Sequence, residues 1–511
     1  MQANLPLVEG SIGYKAYISP LSLSFSCYLF NVTNPDEIMR GEKPNLVEHG
    51  PYVYNENFQR YVQEIDEEMD EITYVTRTMY TFNKEKSVKE SSRDKVTILN
   101  PLYVGFVNAL SGLPPNFMQQ YGNHLPKLFP NRSSIFMKAR GTDILFNGVK
   151  VTCNRVKYPD LKLICMQLAS SKRPPVLRAT DEDDVYLFSL FQKTNDTIRG
   201  PYTVNRGFKN LSLLGDTTSF MGEREQELWP EPCNKVQGRD SITWAPLLKR
   251  LSYVTMFSPD LCRSIEADYD RDVTIHGMIG WKYTVQERVW YLNNSQCYCP
   301  IKNDSVKCLQ EGLYDATECQ QSIVYYLAIS VIYTLQKAPI IVSEPHFLHG
   351  DPKLLAYAGG LKPVEELHSM YVVIEPYTGF PLEGVKKSQL NVELVKQPLD
   401  LLANVSEGTF PLVWFSSGTT STFKVASQAY QTIRLLNLFH FLQLMPLIVG
   451  IYMVLVGLLL YNGTWGKVES TETTGEPILI SSNSQLYDRS RGPSRRPVHV
   501  FERFQRVYPS S

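Results

Sequence analysis

Hydrophobic and polar positions alternate most regularly between Thr73 and Phe82. Tyr74, Thr76, Thr78, Tyr80 and Phe82 share one face there, the two-residue period of a β-strand. Gly50-Pro51-Tyr52-Val53-Tyr54 reads as a turn feeding another alternating strand. The acidic run from Glu64 to Glu71 lies between the two and reads as a solvated hairpin tip. It lacks the glycine and ligand spacing of a calcium loop. Over residues 101–145 the pattern loosens. Leu, Phe and Met recur at helix-like spacing, broken by Pro114-Pro115, Pro126 and Pro130, which predicts short helices forming a cap. From residue 146 to about 430, strand-length runs separated by Gly, Pro and Asn turns return, with short helical pieces and no internal repeat.

The last pattern is a continuous one. Phe441 to Tyr461 carries no charge over 21 residues, enough for the roughly 30 Å core of a bilayer. Gln443 and Pro446 sit near its start, where an interface or kink absorbs them. The tail beyond it holds Arg489, Arg491, Arg495, Arg496, Arg503 and Arg506 almost unopposed. It is predicted to be cytoplasmic by the positive-inside rule and disordered by composition.

Composition narrows this picture. The 511 residues have a net charge of -1, which offers nothing to attract nucleic acid. Aromatics at 12 %, including 30 Tyr, favour β-rich structure. Six of nine cysteines, Cys233, Cys262, Cys297, Cys299, Cys308 and Cys319, crowd into one segment without zinc or redox spacing. Seven glycosylation triplets precede the apolar run, at Asn31, Asn131, Asn195, Asn210, Asn293, Asn303 and Asn404, and Asn462 follows it. Together they indicate a disulfide framework in an oxidising compartment. Six cysteines allow about fifteen pairings, among which spacing cannot choose. Met1 to Tyr28 has no basic region followed by an apolar core and cleavage site. A lone C-terminal anchor cannot carry what precedes it across a membrane, so the natural start is expected to be missing.

Chemistry is sparse. No nucleophile elbow, phosphate loop, dinucleotide fingerprint or HExxH helix occurs. His346 and His349 have metal-like spacing, but without a third ligand and after Pro345 they read as structural. Lys127, Arg132, Lys138 and Arg140 are scattered through the cap, so its charge is weak. Among them Phe117, Met118, Phe129, Phe136 and Met137 are the candidate ligand contacts at a tunnel mouth, against the simpler role of packing the cap helices together.

Several stretches carry a family resemblance. Phe30-Asn31-Val32-Thr33-Asn34-Pro35, Gly50-Pro51-Tyr52, and Phe257-Ser258-Pro259-Asp260-Leu261-Cys262-Arg263-Ser264-Ile265 resemble the class B scavenger receptors. So do Pro345-His346-Phe347, Glu375-Pro376-Tyr377-Thr378-Gly379 and Gln389-Leu390-Asn391-Val392. This family includes fatty acid translocase and lysosomal integral membrane protein relatives. Cys153 and Cys165, following Asp143-Ile144-Leu145-Phe146-Asn147-Gly148, are most similar to its insect sensory neuron membrane proteins.

The resemblance implies an α+β fold, a large antiparallel β-barrel ectodomain with a helical head, between two transmembrane helices. On that basis residues 1–430 are the ectodomain, with the head at about 101–145. Residues 431–461 form a lead-in and transmembrane helix, and 462–511 the tail. It implies disulfides Cys233–Cys297, Cys262–Cys319, Cys299–Cys308 and Cys153–Cys165, leaving Cys27 free. The family's first transmembrane helix is absent before Tyr17. Eighteen residues separate Cys319 from Ala338 where the family has a few, and this insert, about 321–337 with the uncharged run Ile323 to Leu335, reads as a splicing or gene-model artefact.

The implied function is a plasma-membrane receptor without cofactor, metal or enzymatic activity. It would take fatty acids, lipids or lipid-like odorants and pheromones through a tunnel to the membrane, to a chemosensory receptor channel, or from a ligand-carrier protein. The alternative is a scavenger or adhesion receptor taking up lipoproteins, particles or apoptotic cells. A lysosomal role fits less well, because Glu476-Pro477-Ile478-Leu479-Ile480 is one spacer residue short of an acidic dileucine signal.

Overall fold

The structure, a computed structural model, describes residues 5–88, 94–170, 173–174, 176–292, 297–302, 305–317, 319, 340–420, 438 and 442–461. The insert at 321–337, the lead-in before the apolar run and the tail after Tyr461 lie outside the described residues. The chain divides into two units, Met1–Leu435 and Leu436–Ser511.

The first unit is built on a 13-stranded sheet among the described residues. Its main path starts at Thr217–Phe220 and passes through Thr197–Asn205, Glu71–Phe82, Leu46–Asp66 and Leu21–Val32. It continues through Gly408–Thr420, Pro381–Leu394, Tyr371–Ile374, Met278–Val285 and Arg263–Ile275 to Tyr253–Ser258. Every pairing on this path is antiparallel. Arg239 bridges Asp216 beside one edge strand and Met256 within the other. One residue thus brings the two edges together, and the sheet is a nearly closed barrel, which leaves little free edge for other chains to pair with.

The alternation at Thr73–Phe82 becomes the strand Glu71–Phe82, with Tyr74, Thr76 and Thr78 buried between partly exposed or exposed neighbours. The acidic run is the tip of its hairpin with Leu46–Asp66, and Asp70 turns the chain there at φ 58°.

The head caps the barrel. Asn100 accepts from the Tyr103 amide at 3.1 Å, and Pro101 supplies the first helical residue of Pro101–Ser111, a side-chain cap followed by a ring already fixed at helical φ. Pro115 opens Pro115–Tyr121, and a 3₁₀ turn follows over Gly122–Leu128. Eight residues of the first helix are buried, on all sides, as expected for a helix sunk in a core rather than laid on one. Leu102, Phe106 and Leu125 share one apolar cluster with Leu29, Phe410 and Val413 of the barrel. The predicted run of short helices over 101–145 ends sooner. Phe136–Arg140 is a strand paired with Lys95–Leu99, followed by a single π-turn at Asp143–Asn147.

Of the second unit, Leu442–Tyr461 forms a 20-residue helix with mean hydropathy 2.4 and none of its surface buried. Its length and composition suit a membrane span.

Candidate ligand-binding cavity

Inward-facing positions of several strands surround a cavity of about 380 Å³. The face predicted from alternation supplies one wall through Tyr74, Thr76, Thr78 and Tyr80. Leu23 and Phe25 join from Leu21–Val32, and Glu56, Phe58 and Arg60 from Leu46–Asp66. Lys386, Ser388 and Leu390 come from Pro381–Leu394, and Phe415 and Ser417 from Gly408–Thr420. In each case residues two apart line the space together, because successive strand side chains point to opposite faces.

One part of the lining is aromatic. The rings of Phe25, Phe191 and Phe415 stand 5.4 Å apart in each pairing, and Tyr80 lies 5.0 Å from Phe25. Edge-to-face and tilted contacts of this kind hold large side chains in place, so the wall is preformed. The other part is polar. Asp260 accepts from Arg199 Nη1 at 2.7 Å and from the Lys386 ammonium. Glu56 accepts from the Tyr80 hydroxyl at 3.0 Å and from Ser417 Oγ. Burial pushes the Lys193 ammonium down to about 8, helped by the neighbouring Arg199 guanidinium. At one margin Arg60 pairs with Asp240 at 3.6 Å, and both hold Tyr17 from the helix Ile12–Ile18. The result is an amphipathic chamber that can hold an apolar chain against phenyl rings and a polar end among paired charges.

The cysteine segment positions part of this lining. The structure joins Cys262 to Cys319, Cys233 to Cys297, Cys299 to Cys308 and Cys153 to Cys165, and leaves Cys27 buried and free. Pro259, Asp260 and Leu261 enter the cavity directly before Cys262, and Cys262 and Cys319 are buried beside Phe257 and Phe220. The loop carrying Asp260 is therefore held covalently.

None of Phe117, Met118, Phe129, Phe136 and Met137 lines this cavity. Four are buried in the cluster beneath the head and Phe117 packs partly buried against it. Of the glycosylation triplets, Asn131, Asn210 and Asn404 are exposed. Asn31 and Asn195 are partly buried and accept amides from Thr97 and Tyr80, while Asn293, Asn303 and Asn462 lie outside the described residues.

A second buried polar assembly lies on the other face of Pro381–Leu394. Gln389 accepts the His346 amide at 2.7 Å and donates to Asn391 at 2.9 Å and Ser343 at 3.3 Å. His346 Nε2 meets Glu48 at 2.8 Å, which also accepts from the Trp414 indole at 2.7 Å. His349 is engaged separately, between Glu344 at 2.7 Å and Glu365 at 3.0 Å. The two histidines thus serve different carboxylates rather than one centre.

The CD36 family sequence model matches residues 1–461. This chain belongs to the CD36 family. It is 31 % identical to sensory neuron membrane protein 2 of Manduca sexta over 435 residues, 83 % of this chain and 80 % of the relative. It is 32 % identical to sensory neuron membrane protein 1 of Apis mellifera over 407 residues, 78 % of this chain and 73 % of the relative. Membership makes it a membrane receptor, and the sensory neuron relatives fit a place in olfaction. Within the CD36 family frame, the barrel is the receptor body and Leu442–Tyr461 is the candidate membrane span.

Proposed function

We propose that this receptor binds lipophilic ligands, whether fatty acids, other lipids or lipid-like odorants and pheromones, in the barrel cavity. It then passes them to the membrane or to a partner chemosensory receptor, without covalent chemistry. The observation that carries the reading is the aromatic wall of Phe25, Phe191, Phe415 and Tyr80 facing a polar end. A ligand chain leaving water for this wall gains about 25 cal/mol for each Å² of apolar surface covered. A cavity of this volume falls within the range of small-molecule sites. The oriented receptor would stand in the plasma membrane with the barrel outside and the tail in the cytoplasm, its exposed triplets Asn131, Asn210 and Asn404 carrying glycans. The aromatic candidates under the head then act in folding rather than in binding.

The test is titration of the purified full chain with fluorescent fatty acids and long-chain acetates. Saturable, competable binding is the expected result. Its absence from a folded preparation would overturn the reading.

A further inference from the structure

The strand Gly408–Thr420 leaves the barrel at one pole, and exposed apolar side chains gather there. Thr420 pairs with Glu383, and Pro381 pairs with Ile374. The turn between those two strands therefore stands only a few strand residues, at about 3.3 Å each, beyond the point of exit. On this turn Tyr377 and Phe380 are 60 % and 38 % exposed. A loop before Tyr253–Ser258 is fastened beside it, since the Leu247 and Leu248 amides donate to the Tyr377 and Pro376 carbonyls at 3.1 and 2.8 Å. That loop exposes Leu247 and Leu251. The neighbouring hairpin, whose Trp281 pairs with Ile374, reaches further out at the same pole and exposes Ile279.

Single exposed apolar residues are ordinary, but adjoining ones mark a contact surface. One charge beside the patch is paired, since Arg250 bonds Asp272 at 2.9 Å and lies over the Trp281 ring, while Lys249 is exposed. The loop reads Leu247-Leu248-Lys249-Arg250-Leu251, the mixture of apolar and basic residues that settles into a lipid headgroup layer. The occupant follows from the course of the chain. Leu442, the first residue of the apolar helix, comes 22 positions after Thr420, so the chain runs on from this pole to the candidate span.

We propose that this patch, centred on Leu247, Leu251, Ile279, Tyr377 and Phe380, is a lipid-docking surface that inserts into the outer boundary of the bilayer. Docked there, the patch would turn this pole of the barrel toward the bilayer. The exposed triplet at Asn210 lies on a different loop and is not part of the patch.

The full chain, reconstituted in phosphatidylcholine nanodiscs, tests this with the photo-crosslinker benzoylphenylalanine in place of Tyr377. Val156, 91 % exposed on the loop closed by Cys153–Cys165, serves as the control position. Lipid adducts at least tenfold more abundant at 377 than at 156 are expected. Equal yields, or cross-links joining two copies of the chain, would overturn the proposal. The double variant Leu247→Ser, Ile279→Ser separates docking from mere proximity. It should lower the yield at 377 at least fivefold with an unchanged unfolding midpoint, and an unchanged yield in that variant sinks the proposal.

Discussion

One strand, Pro381–Leu394, carries two different kinds of buried polarity on its two faces. Lys386, Ser388 and Leu390 look into the cavity, while Gln389 and Asn391 look into the histidine network. The network is packed. Gln389 is wholly buried and uses both its carbonyl and its amide, and its neighbours are bonded in turn. The cavity face borders open volume, with the cations Lys193, Arg199 and Lys386 near the carboxylates Asp260 and Glu56. Buried polar groups with every bond made specify a unique core. The polar groups of the cavity face are bonded to one another and also border the cavity, where the proposed ligand would meet them. The same alternation that makes a strand thus separates what holds the barrel from what it is proposed to hold.

The largest effect should come from the packed face. Gln389→Leu strands the His346 amide, Ser343 and Asn391 without that partner, and an orphaned buried group costs up to about 3 kcal/mol. The denaturation midpoint should fall clearly while the folded fraction still binds lipophiles. Lost binding with intact stability would reverse the assignment of the two faces.

The next effect is pH-dependent and also belongs to the packed side. Burial pushes the Glu344 carboxyl up to about 7, against the pull of His349, whose own value is raised by Glu344 and Glu365. Unfolded, Glu344 ionises near pH 4.5; folded, it keeps its proton to about 7. Its contribution to stability therefore falls as pH rises between those values. His349 works in the same direction, being lost as pH rises through its raised folded value. His368 opposes both, because burial and the nearby His346 lower it to about 4, so its contribution falls as pH drops from 6.5 towards 4. Comparing Glu344→Gln with the native chain cancels the His368 term. The variant should gain midpoint relative to the native chain between pH 4.5 and 7.5, and a constant difference would refute the buried-acid account.

On the cavity face, Thr76→Trp fills space rather than removing a bond. Thr76 is buried, lines the chamber and sits in the centre of its strand. Affinity for a fluorescent fatty acid should fall at least about tenfold, or about 1.4 kcal/mol, with a smaller change in stability. Unaltered affinity would move the ligand elsewhere in the molecule.

How much of this was legible depends on the range of each signal. Local periodicity gave the strand Glu71–Phe82, and with it Tyr74, Thr76, Thr78 and Tyr80 as one wall of the chamber. The uncharged run gave the helix Leu442–Tyr461. The cavity as a whole was not legible, because strands far apart in sequence contribute two or three residues each. Asp260 stands in a stretch that carries the family resemblance, yet its partner Lys386 is 126 positions away. The candidate contacts under the head failed to reach the chamber for a local reason. Helix-like spacing of Phe and Met describes burial, not what the buried face meets, and Phe136 and Met137 sit on a strand whose partner, Lys95–Leu99, precedes the head. The sequence reads the histidines as structural, and nothing local reveals that Glu48 and Trp414 meet at His346.

The smallest effect expected is the most specific to the proposed ligand end. Lys193 lines the chamber with its ammonium lowered to about 8 by burial and by Arg199. Below that pH it is charged and can meet an anionic headgroup; above it the charge is lost. The stability sign is opposite to that of a paired lysine. Its folded value lies below the ordinary 10.5, so the unfolded chain binds more protons between about 8 and 10.5 and the fold gains stability as pH rises across that window. Binding and stability should therefore move in opposite directions. A fatty acid anion should bind about threefold more weakly at pH 9 than at pH 7, the scale of a partly screened ion pair. A long-chain acetate ester, uncharged throughout, should show no such change. Lys193→Met should reduce both the pH dependence of fatty acid binding and the stability gain above pH 8, leaving the share of Lys386, which burial and Arg199 likewise lower to about 8. If the ester and the acid respond alike, Lys193 does not read the headgroup, and the polar end of the chamber is structural after all.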